Sequence, residues 1–292
     1  MADPLVSIII PCRNEGEHIK NTINSIRENT TDLTYEIIVV DDASGDGCCD
    51  FIRYGREHGV TLLTAGGVYA NRARNLGASR ARGEIFVFCD AHIFVEEGWL
   101  AKLASTLSIP GIDAVSPGLK PYGDYRGPSW GGLTWGRDMN MQWLAGTGSL
   151  TPVPVLPAGC LAVARHAFET VGGFDQRFRV YGFEDVEFTL KLWLFGFGAY
   201  VNPDITFWHI FREAHPYEVN WADVHHNLLR IAFLHLNYQR IGKVLAIMKN
   251  AEYFPRILAE VLLSPVLEDR KNYLERRLYD DEWFVRKFNI PL

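Results

Sequence analysis

A run of apolar residues from Ile85 to Cys89, followed at once by Asp90-Ala91-His92, constrains the fold of this chain more than any other stretch. A continuous apolar run of this length is typical of a buried strand. In an open α/β sheet, ligands bind beyond the carboxyl ends of the strands. A carboxylate and an imidazole two residues apart suit a divalent cation such as Mn2+. An isolated Asp-x-His is better explained as a polar turn, so the metal interpretation depends on the residues around it.

The segments that precede this strand alternate between strand and helix. The apolar patterns predict strands at 5–11, 35–40 and 60–63, a helix that ends near 28, and an arginine-rich helix at 69–81. Because helices alternate with the strands and the loops between them are short, we expect the helices to be crossover connections and the strands to run mostly parallel to one another. We therefore expect an α/β fold with a mostly parallel, Rossmann-like sheet flanked by helices.

Each predicted strand ends in a polar loop. Because the carboxyl ends of parallel strands meet at one edge of the sheet, the polar side chains should converge there. A single acidic loop is usually a solvated cap, whereas three such loops at one edge indicate a pocket. The residues concerned are Arg13, Glu15, Asp41, Asp42, Asp90 and His92.

Residues 111–150 interrupt the alternation with glycine, proline and aromatic residues, among them Trp130 and Trp135. Long loops in compact domains are often functional lids, and this density of aromatic residues argues against disorder. Aromatic faces pack well on sugar rings, but ordinary packing explains them equally well. We expect a lid-like loop here.

The remainder of the chain divides at residue 217. Up to that point we predict an extended segment at 153–163, a short helix at 165–171, a helix opened by acidic residues at Glu184, and a short strand at 199–202. Glu187 in the first turn of that helix is interpreted as a complement to the helix dipole. From 218 to 292 the composition is helical, which predicts an appendage that docks on the core, pairs two subunits or holds an acceptor.

Composition narrows the class of protein. The chain has 292 residues, 48% of them hydrophobic, and a net charge of −6, which excludes a general nucleic-acid binder. No apolar stretch reaches membrane-spanning length, and no signal peptide is recognised. The five cysteines show no metal-ligand spacing and are interpreted as buried thiols, so we expect a cytoplasmic protein.

Taken together, the motifs resemble the GT-A class of nucleotide-sugar glycosyltransferases. Residues 6–15 are similar to the first strand and loop of that class, and Val40-Asp41-Asp42-Ala43-Ser44 is similar to its uracil-binding turn. Asp90-Ala91-His92 resembles its metal motif, in the Asp-x-His form. Three further stretches, at 131–135, 182–187 and 209–217, resemble the polypeptide N-acetylgalactosaminyltransferases. The resemblance spans about residues 5 to 217 in the same order.

The resemblance implies roles for individual residues. Asp41 and Asp42 would contact the uracil and ribose of a UDP-sugar, and Arg212 would contact its diphosphate. The metal ligands would be Asp90, His92 and His209, holding Mn2+ or Mg2+. The donor-binding set as a whole comprises Pro11, Arg13, Glu15, Asp41, Asp42, Arg72, Asn75, Asp90, Ala91 and Arg212.

One departure from the polypeptide transferases bears on the reaction. Where that family has Glu-Asn, this chain has Glu184-Asp185, which resembles the motif of the large inverting GT-A family. We therefore expect inversion, with Asp185 as the general base and Glu184 beside it. A retaining transferase, a nucleotidyltransferase and a non-catalytic sugar-nucleotide-binding protein are the alternatives.

The acceptor is left open between a sugar, a peptide, a natural product and a lipid carrier. The likeness to polypeptide transferases slightly favours a peptide or protein. A homo-oligomer formed through the carboxyl-terminal helices is a further expectation.

Overall fold

The amino-terminal half forms alternating strands and helices around a parallel sheet. The computed structural model describes residues 3–31, 33–55, 59–212 and 217–292. In the parallel part the strand order is β3-β2-β1-β4, so crossover helices are required, as predicted. The elements are β1 (Val6–Cys12), α1 (His18–Glu28), β2 (Tyr35–Asp42), α2 (Asp50–Arg53), β3 (Val60–Ala65), α3 (Tyr69–Ala78) and β4 (Ile85–Cys89).

The second half of the chain extends the same sheet in mixed orientation. The strand order continues β4-β10-β6-β11-β5, and β10 runs antiparallel to both of its neighbours. The α/β class is confirmed, while the parallel arrangement is confined mainly to the first four strands. The elements are β5 (Ile93–Val95), α4 (Trp99–Leu107), β6 (Ala114–Pro121), β7 (Trp130–Trp135), β8 (Met141–Ala145), β9 (Thr151–Pro152), β10 (Cys160–Ala164), α5 (Arg165–Val171), α6 (Glu184–Leu194) and β11 (Ala199–His209).

The expected loop at 111–150 is largely β-structure. β6 pairs with β11 inside the sheet, and β7 and β8 form an antiparallel pair at its edge. The rings of Trp130 and Trp143 stack across this pair with centroids 5.0 Å apart. The expectation of a loop was wrong because cross-strand aromatic pairing stabilises strands in a segment rich in glycine and proline.

The short strand expected at 199–202 is the first part of a longer one. β11 continues to His209, with an irregularity in its pairing to β6 between Asn202 and Thr206. Its second half pairs antiparallel with β5, where His209 lies opposite Ile93. This pairing brings the end of β11 beside the Asp90–His92 segment.

Five helices follow residue 217, and their predicted helical character is confirmed. They pack on the face of the sheet that carries α6, and they share its hydrophobic cluster. The Trp135 and Phe284 rings, for example, have centroids 6.0 Å apart. The proposed boundary between 217 and 218 stays a prediction. The helices are α7 (Trp221–His235), α8 (Tyr238–Met248), α9 (Phe254–Leu263), α10 (Val266–Arg276) and α11 (Asp281–Phe288).

A buried charged group fastens α6 to α7. Glu187 is fully buried, with its carboxylate 3.1 Å from Lys191 Nζ and 3.0 Å from His235 Nε2. Glu187 lies in the first turn of α6, as the helix-dipole interpretation requires, and its buried contacts with Lys191 and His235 give it a second structural role. Removing one partner from such a group leaves an uncompensated buried charge.

Candidate active site

A cavity of about 580 Å³ opens at the carboxyl ends of β1, β2 and β4. The first turn of α6, the end of β11 and Val224 of α7 complete its wall, so the carboxyl-terminal helices contribute to it. Its position matches the rule for ligand sites in open α/β sheets. The predicted residues that line it are Pro11, Arg13, Glu15, Asp42, Asp90, Ala91, His92, Glu184, Asp185, His209 and Arg212.

Asp90, His92 and His209 form a cluster with the composition of a metal site. His209 Nε2 lies 3.3 Å from Asp90 Oδ2, and the two imidazole rings have centroids 4.7 Å apart. One ligand atom from each of the three residues lies within 4.8 Å of the others. Ligands that hold one cation at about 2.1 Å are about 3–4 Å apart in octahedral geometry, so the cluster fits a single divalent ion.

The space beside Asp90 and His209 is kept open by a glycine, Gly159. A Cβ built on Gly159 would lie 3.3 Å from Asp90 Oδ2 and 3.5 Å from His209 Cδ2. The Gly159 carbonyl also accepts a hydrogen bond from the Asp90 backbone N–H at 2.9 Å. A larger residue would therefore crowd the two ligands.

Glu15 and Arg212 both contact the Nδ1 atom of His92. Glu15 Oε2 is 3.1 Å from His92 Nδ1, and Arg212 donates a hydrogen bond to the same carboxylate oxygen. When Nδ1 carries the proton and donates it to Glu15, the lone pair of the imidazole is on Nε2. A carboxylate in this position is the usual partner of a metal-ligating histidine.

Arg74 is the central cation of the site, and it is not among the site residues predicted from the sequence. Its side chain is buried, and its guanidinium lies 3.0 Å from Asp90 and 3.7 Å from Glu184. Burial raises the pKa of Asp90, but the hydrogen bond to His209 and the charge of Arg74 outweigh burial and hold that pKa below its usual range. The arginine-rich character of α3 was the available signal, but periodicity alone did not indicate which arginine faces the sheet edge.

Glu184 and Asp185 enter the cavity because the chain turns sharply before α6. Gly182 and Phe183 have φ values of 97° and 68°, and a non-glycine residue in this left-handed region is unusual and often marks a functional site. The Asp185 carboxylate accepts a hydrogen bond from the Val186 backbone N–H at 2.8 Å. Burial and the neighbouring charge of Glu184 raise the pKa of Asp185 to about 7.

Three residues of the predicted donor set do not line the cavity. Asp41 accepts from Arg53 at 2.7 Å and from the Ser44 N–H at 3.0 Å. Arg72 donates to the Gln176 carbonyl, and Asn75 exchanges hydrogen bonds with the Phe174 backbone. Arg72 and Asn75 therefore anchor the 174–176 segment to α3.

Asp42 lines the cavity but also has a structural role. Its two carboxylate oxygens accept hydrogen bonds from the backbone N–H groups of Val68 and Tyr69, at 2.6 and 2.8 Å. These contacts fix the start of α3, since the first N–H groups of a helix lack partners within it. Tyr69 itself has a positive φ of 68° and lines the cavity.

Aromatic side chains that were not selected from the sequence form much of the remaining wall. Trp143 of β8 and Phe211 are 40% and 47% exposed, and both line the cavity. Tyr181 and Tyr217 do so as well. Within the 209–217 stretch that carries the family resemblance, residues 213–216, including Pro216, lie outside the described residues. For Trp143 the signal available in the sequence was the aromatic density of 111–150, which did not indicate individual residues.

The sequence profile of glycosyl transferase family 2 matches residues 7–172, which is more than half of the chain. The chain belongs to glycosyl transferase family 2. A second profile, described as the N-terminal domain of galactosyltransferase, matches residues 151–212, the part that carries Asp185 and His209. Family membership confirms the predicted class of enzyme at the level of a glycosyltransferase.

Relatives of this family 2 chain include polypeptide N-acetylgalactosaminyltransferases. The putative polypeptide N-acetylgalactosaminyltransferase 13 of Drosophila melanogaster is 28% identical over 98% of the chain and 56% of its own length. The match to another Drosophila relative, polypeptide N-acetylgalactosaminyltransferase 3, covers 36% of the length of that protein. The chain thus spans about half or less of the length of these relatives.

Solved structures confirm the GT-A-type fold of the family 2 chain. The crystal structure of GalNAc-T7 with UDP, GalNAc and Mn2+ matches with a TM-score of 0.76 and 19% identity, covering 98% of this chain and 56% of that one. A mannosyltransferase from Pyrobaculum calidifontis, in complex with GDP-Man and Mn2+, matches with a TM-score of 0.57 and 21% identity, covering 94% and 75%. In the described part of the chain, no helix combines the length and apolar character needed to span a membrane.

Proposed function

We propose that this chain transfers a sugar from a UDP-sugar to an acceptor hydroxyl, with Mn2+ or Mg2+ bound by Asp90, His92 and His209. We further propose that the reaction inverts the anomeric configuration, with Asp185 as the general base. One observation carries the proposal: a carboxylate and two imidazoles suited to a cation share a single cavity with Arg74 and with a carboxylate whose pKa is about 7.

The chain holds the proposed ligands in place before any ion binds. Arg74 and His209 position the Asp90 carboxylate, and Glu15 positions the His92 ring. A divalent cation bound there would neutralise charge on a departing nucleoside diphosphate. GalNAc-T7 was solved with UDP, GalNAc and Mn2+, and the Pyrobaculum mannosyltransferase was solved with GDP-Man and Mn2+, which supports the same donor chemistry for this chain.

Two arginines carry N–H groups suited to a diphosphate. The Nε and Nη1 atoms of Arg13 and Arg74 are buried and have no hydrogen-bond partner among the described residues. Burying a guanidinium donor without a partner is costly, so these groups favour an anionic ligand. Arg13 is also 3.7 Å from Asp42 and within 6 Å of the Tyr69 ring, which limits its orientation.

The general-base assignment depends on the chemistry of Asp185. A carboxylate whose pKa is near 7 can accept a proton from an acceptor hydroxyl more readily than one with an ordinary pKa, and it is ionised in a large part of the population at neutral pH. The alternative is a retaining reaction, as the likeness to polypeptide N-acetylgalactosaminyltransferases implies, in which Asp185 has no base role. Product stereochemistry distinguishes the two.

We propose a hydroxyl of a peptide or of a natural product as the acceptor. The names of the relatives favour a peptide. The exposed faces of Trp143 and Phe211 at the cavity offer packing surface for either class. The cytoplasmic location and a homo-oligomer formed through the carboxyl-terminal helices stay predictions.

The test combines binding with product analysis. UDP is titrated by calorimetry into the protein with and without Mn2+, and a panel of UDP-sugars is then incubated with peptide and small-molecule acceptors. Metal-dependent UDP binding followed by an inverted glycoside supports the whole proposal. A retained configuration removes the base role of Asp185, and absence of both nucleotide and metal binding overturns the proposed function.

A further inference from the structure

A second cluster of potential metal ligands lies beside the cavity, and it consists of cysteines. Cys12 ends β1, and Cys48 and Cys49 precede α2. All three side chains are buried, with 1%, 7% and 2% of their surfaces exposed. The Cys12 Sγ atom lies 3.6 Å from the Sγ atom of Cys48 and 3.6 Å from that of Cys49, and the Sγ atoms of Cys48 and Cys49 are 3.9 Å apart.

We propose that Cys12, Cys48 and Cys49 form a three-thiolate site for Zn2+, separate from the site at Asp90. Zinc–sulfur bonds are about 2.3 Å long, so sulfurs that share one tetrahedral zinc lie about 3.8 Å apart. The observed separations of 3.6, 3.6 and 3.9 Å match this value. One ion can therefore contact all three sulfurs without a rearrangement of the chain.

The same geometry predicts a fourth, non-cysteine ligand. A zinc ion 2.3 Å from each sulfur would lie about 0.8 Å out of the plane of the three sulfurs. Such a pyramidal arrangement leaves the fourth tetrahedral position free. The other two cysteines, Cys89 and Cys160, sit on β4 and β10 and are not members of the cluster.

The loops that carry the three thiols are already fastened to each other. The Asn14 N–H donates to Ser44 Oγ at 3.1 Å, the Gly45 N–H donates to Asn14 Oδ1 at 2.8 Å, and the Gly16 N–H donates to Asp46 Oδ2 at 2.9 Å. These bonds join the loop after β1 to the loop after β2. The thiols are thus held together by the fold, which lowers the entropy cost of forming a site.

Thiols bind zinc as thiolates, so binding of Zn2+ would release thiol protons to solvent. The affinity for Zn2+ should therefore increase steeply with pH.

The proposed role is to brace one wall of the cavity. Cys12 lies between Pro11 and Arg13, and all three line the cavity. A zinc ion would hold this turn against Cys48 and Cys49. The sequence spacing concealed the site, since 36 residues separate Cys12 from Cys48 and the two others are adjacent.

The experiment uses the full chain, reduced and stripped of metal, and titrates it with Co2+ and then with Zn2+. Absorption from thiolate-to-Co2+ charge transfer reports only on cysteine ligands, so ions bound at Asp90 and the histidines do not contribute. We expect a charge-transfer band at one Co2+ per chain, loss of the band when Zn2+ displaces Co2+, and persistence of the band in His209→Ala.

Cysteine variants assign the ligands. Cys48→Ala should weaken Co2+ binding more than about 100-fold or abolish the band, while Cys160→Ala, a buried cysteine outside the cluster, should keep it. The wild-type band does not depend on whether a variant folds. Absence of the band, its persistence in Cys48→Ala, or a Cys12 disulfide found in the freshly purified protein by non-reducing mass spectrometry would each overturn the proposal.

Discussion

The imidazole of His209 lies 3.3 Å from the carboxylate of Asp90, although 119 residues separate them along the chain. The pairing of β11 with β5 brings them together, because it aligns His209 with Ile93, next to His92. The contact joins the part of the chain matched by the family 2 profile to a residue beyond it. The proposed metal site is therefore a product of sheet register.

Replacing His209 tests the third metal ligand. We expect His209→Ala to weaken Mn2+-dependent UDP binding by more than about tenfold, since even removing the partner of a ligand costs about 10–100-fold. His166→Ala is the matched control, because this histidine is exposed and lies outside the cavity. Calorimetric titration with and without Mn2+ measures the effect. Equal metal dependence in both variants would exclude His209 as a ligand.

Arg74 and Arg72 of α3 make different contacts, so replacing each in turn tests which of them binds the donor. Arg74→Met should abolish measurable UDP binding and lower the free energy of unfolding by about 3–5 kcal/mol, because it leaves the Asp90 and Glu184 carboxylates without their buried partner. Arg72→Met should keep UDP binding, since Arg72 contacts only the Gln176 carbonyl among the interactions described for it. Calorimetry and urea unfolding measure the two effects. The reverse ranking would restore Arg72 as the donor-binding arginine.

The raised pKa of Asp185 predicts a pH dependence of transfer. The rate with saturating donor and acceptor should fall about tenfold per pH unit below pH 7, because protonated Asp185 cannot act as a base. Glu184→Gln removes the like charge and should move the midpoint of the profile to lower pH. Initial rates from pH 5 to 9 provide the measurement. A profile that is flat across this range in the wild type would contradict the base assignment.

The raised pKa of Asp185 favours transfer at high pH, but it lowers the stability of the folded chain at high pH. Asp185 in the folded chain titrates near 7, above its ordinary value of 3.8, so the unfolded chain releases this proton first. Between about pH 4 and 7 the contribution of Asp185 to the free energy of unfolding therefore decreases as the pH rises. Asp185→Asn should raise the melting temperature at pH 8 by a few degrees and change it little at pH 4. Thermal unfolding at both pH values checks this sign.

The buried group of Glu187, Lys191 and His235 should matter for stability and not for binding. Glu187→Gln leaves the Lys191 charge buried without its partner and should cost about 3–5 kcal/mol of unfolding free energy. Glu268→Gln, on the exposed surface of α10, should have no measurable effect. The midpoints of urea unfolding compare the two variants. The UDP affinity of folded Glu187→Gln protein, measured at urea concentrations below its unfolding transition, should match that of the wild type. A lost UDP affinity in folded Glu187→Gln protein would contradict a purely structural role.

The local pattern of apolar and polar residues was sufficient to predict the strands and helices of the first half and the polar loops at their ends. The apolar runs of β1, β2 and β4 are long enough to identify buried strands, and polar residues at their ends indicated the cavity edge. The expectation of a loop at 111–150 was wrong because pairing partners on other strands stabilise β6, β7 and β8 there. β-structure depends on such distant partners more than helices do.

The sequence by itself determined which chemical groups are present and where they lie along the chain: Asp90 and His92 after β4, Asp185 at the start of α6, Cys12 at the end of β1, and Cys48 and Cys49 before α2. Only the tertiary structure decided which of them meet. It selected Arg74 over Arg72, placed Asp41 and Asn75 outside the cavity, and brought Cys12 within 3.6 Å of Cys48. The physical reason is that a strand or helix fixes the direction of a side chain along its own axis, while the distance to a partner depends on sheet order and register, which arise from the whole chain.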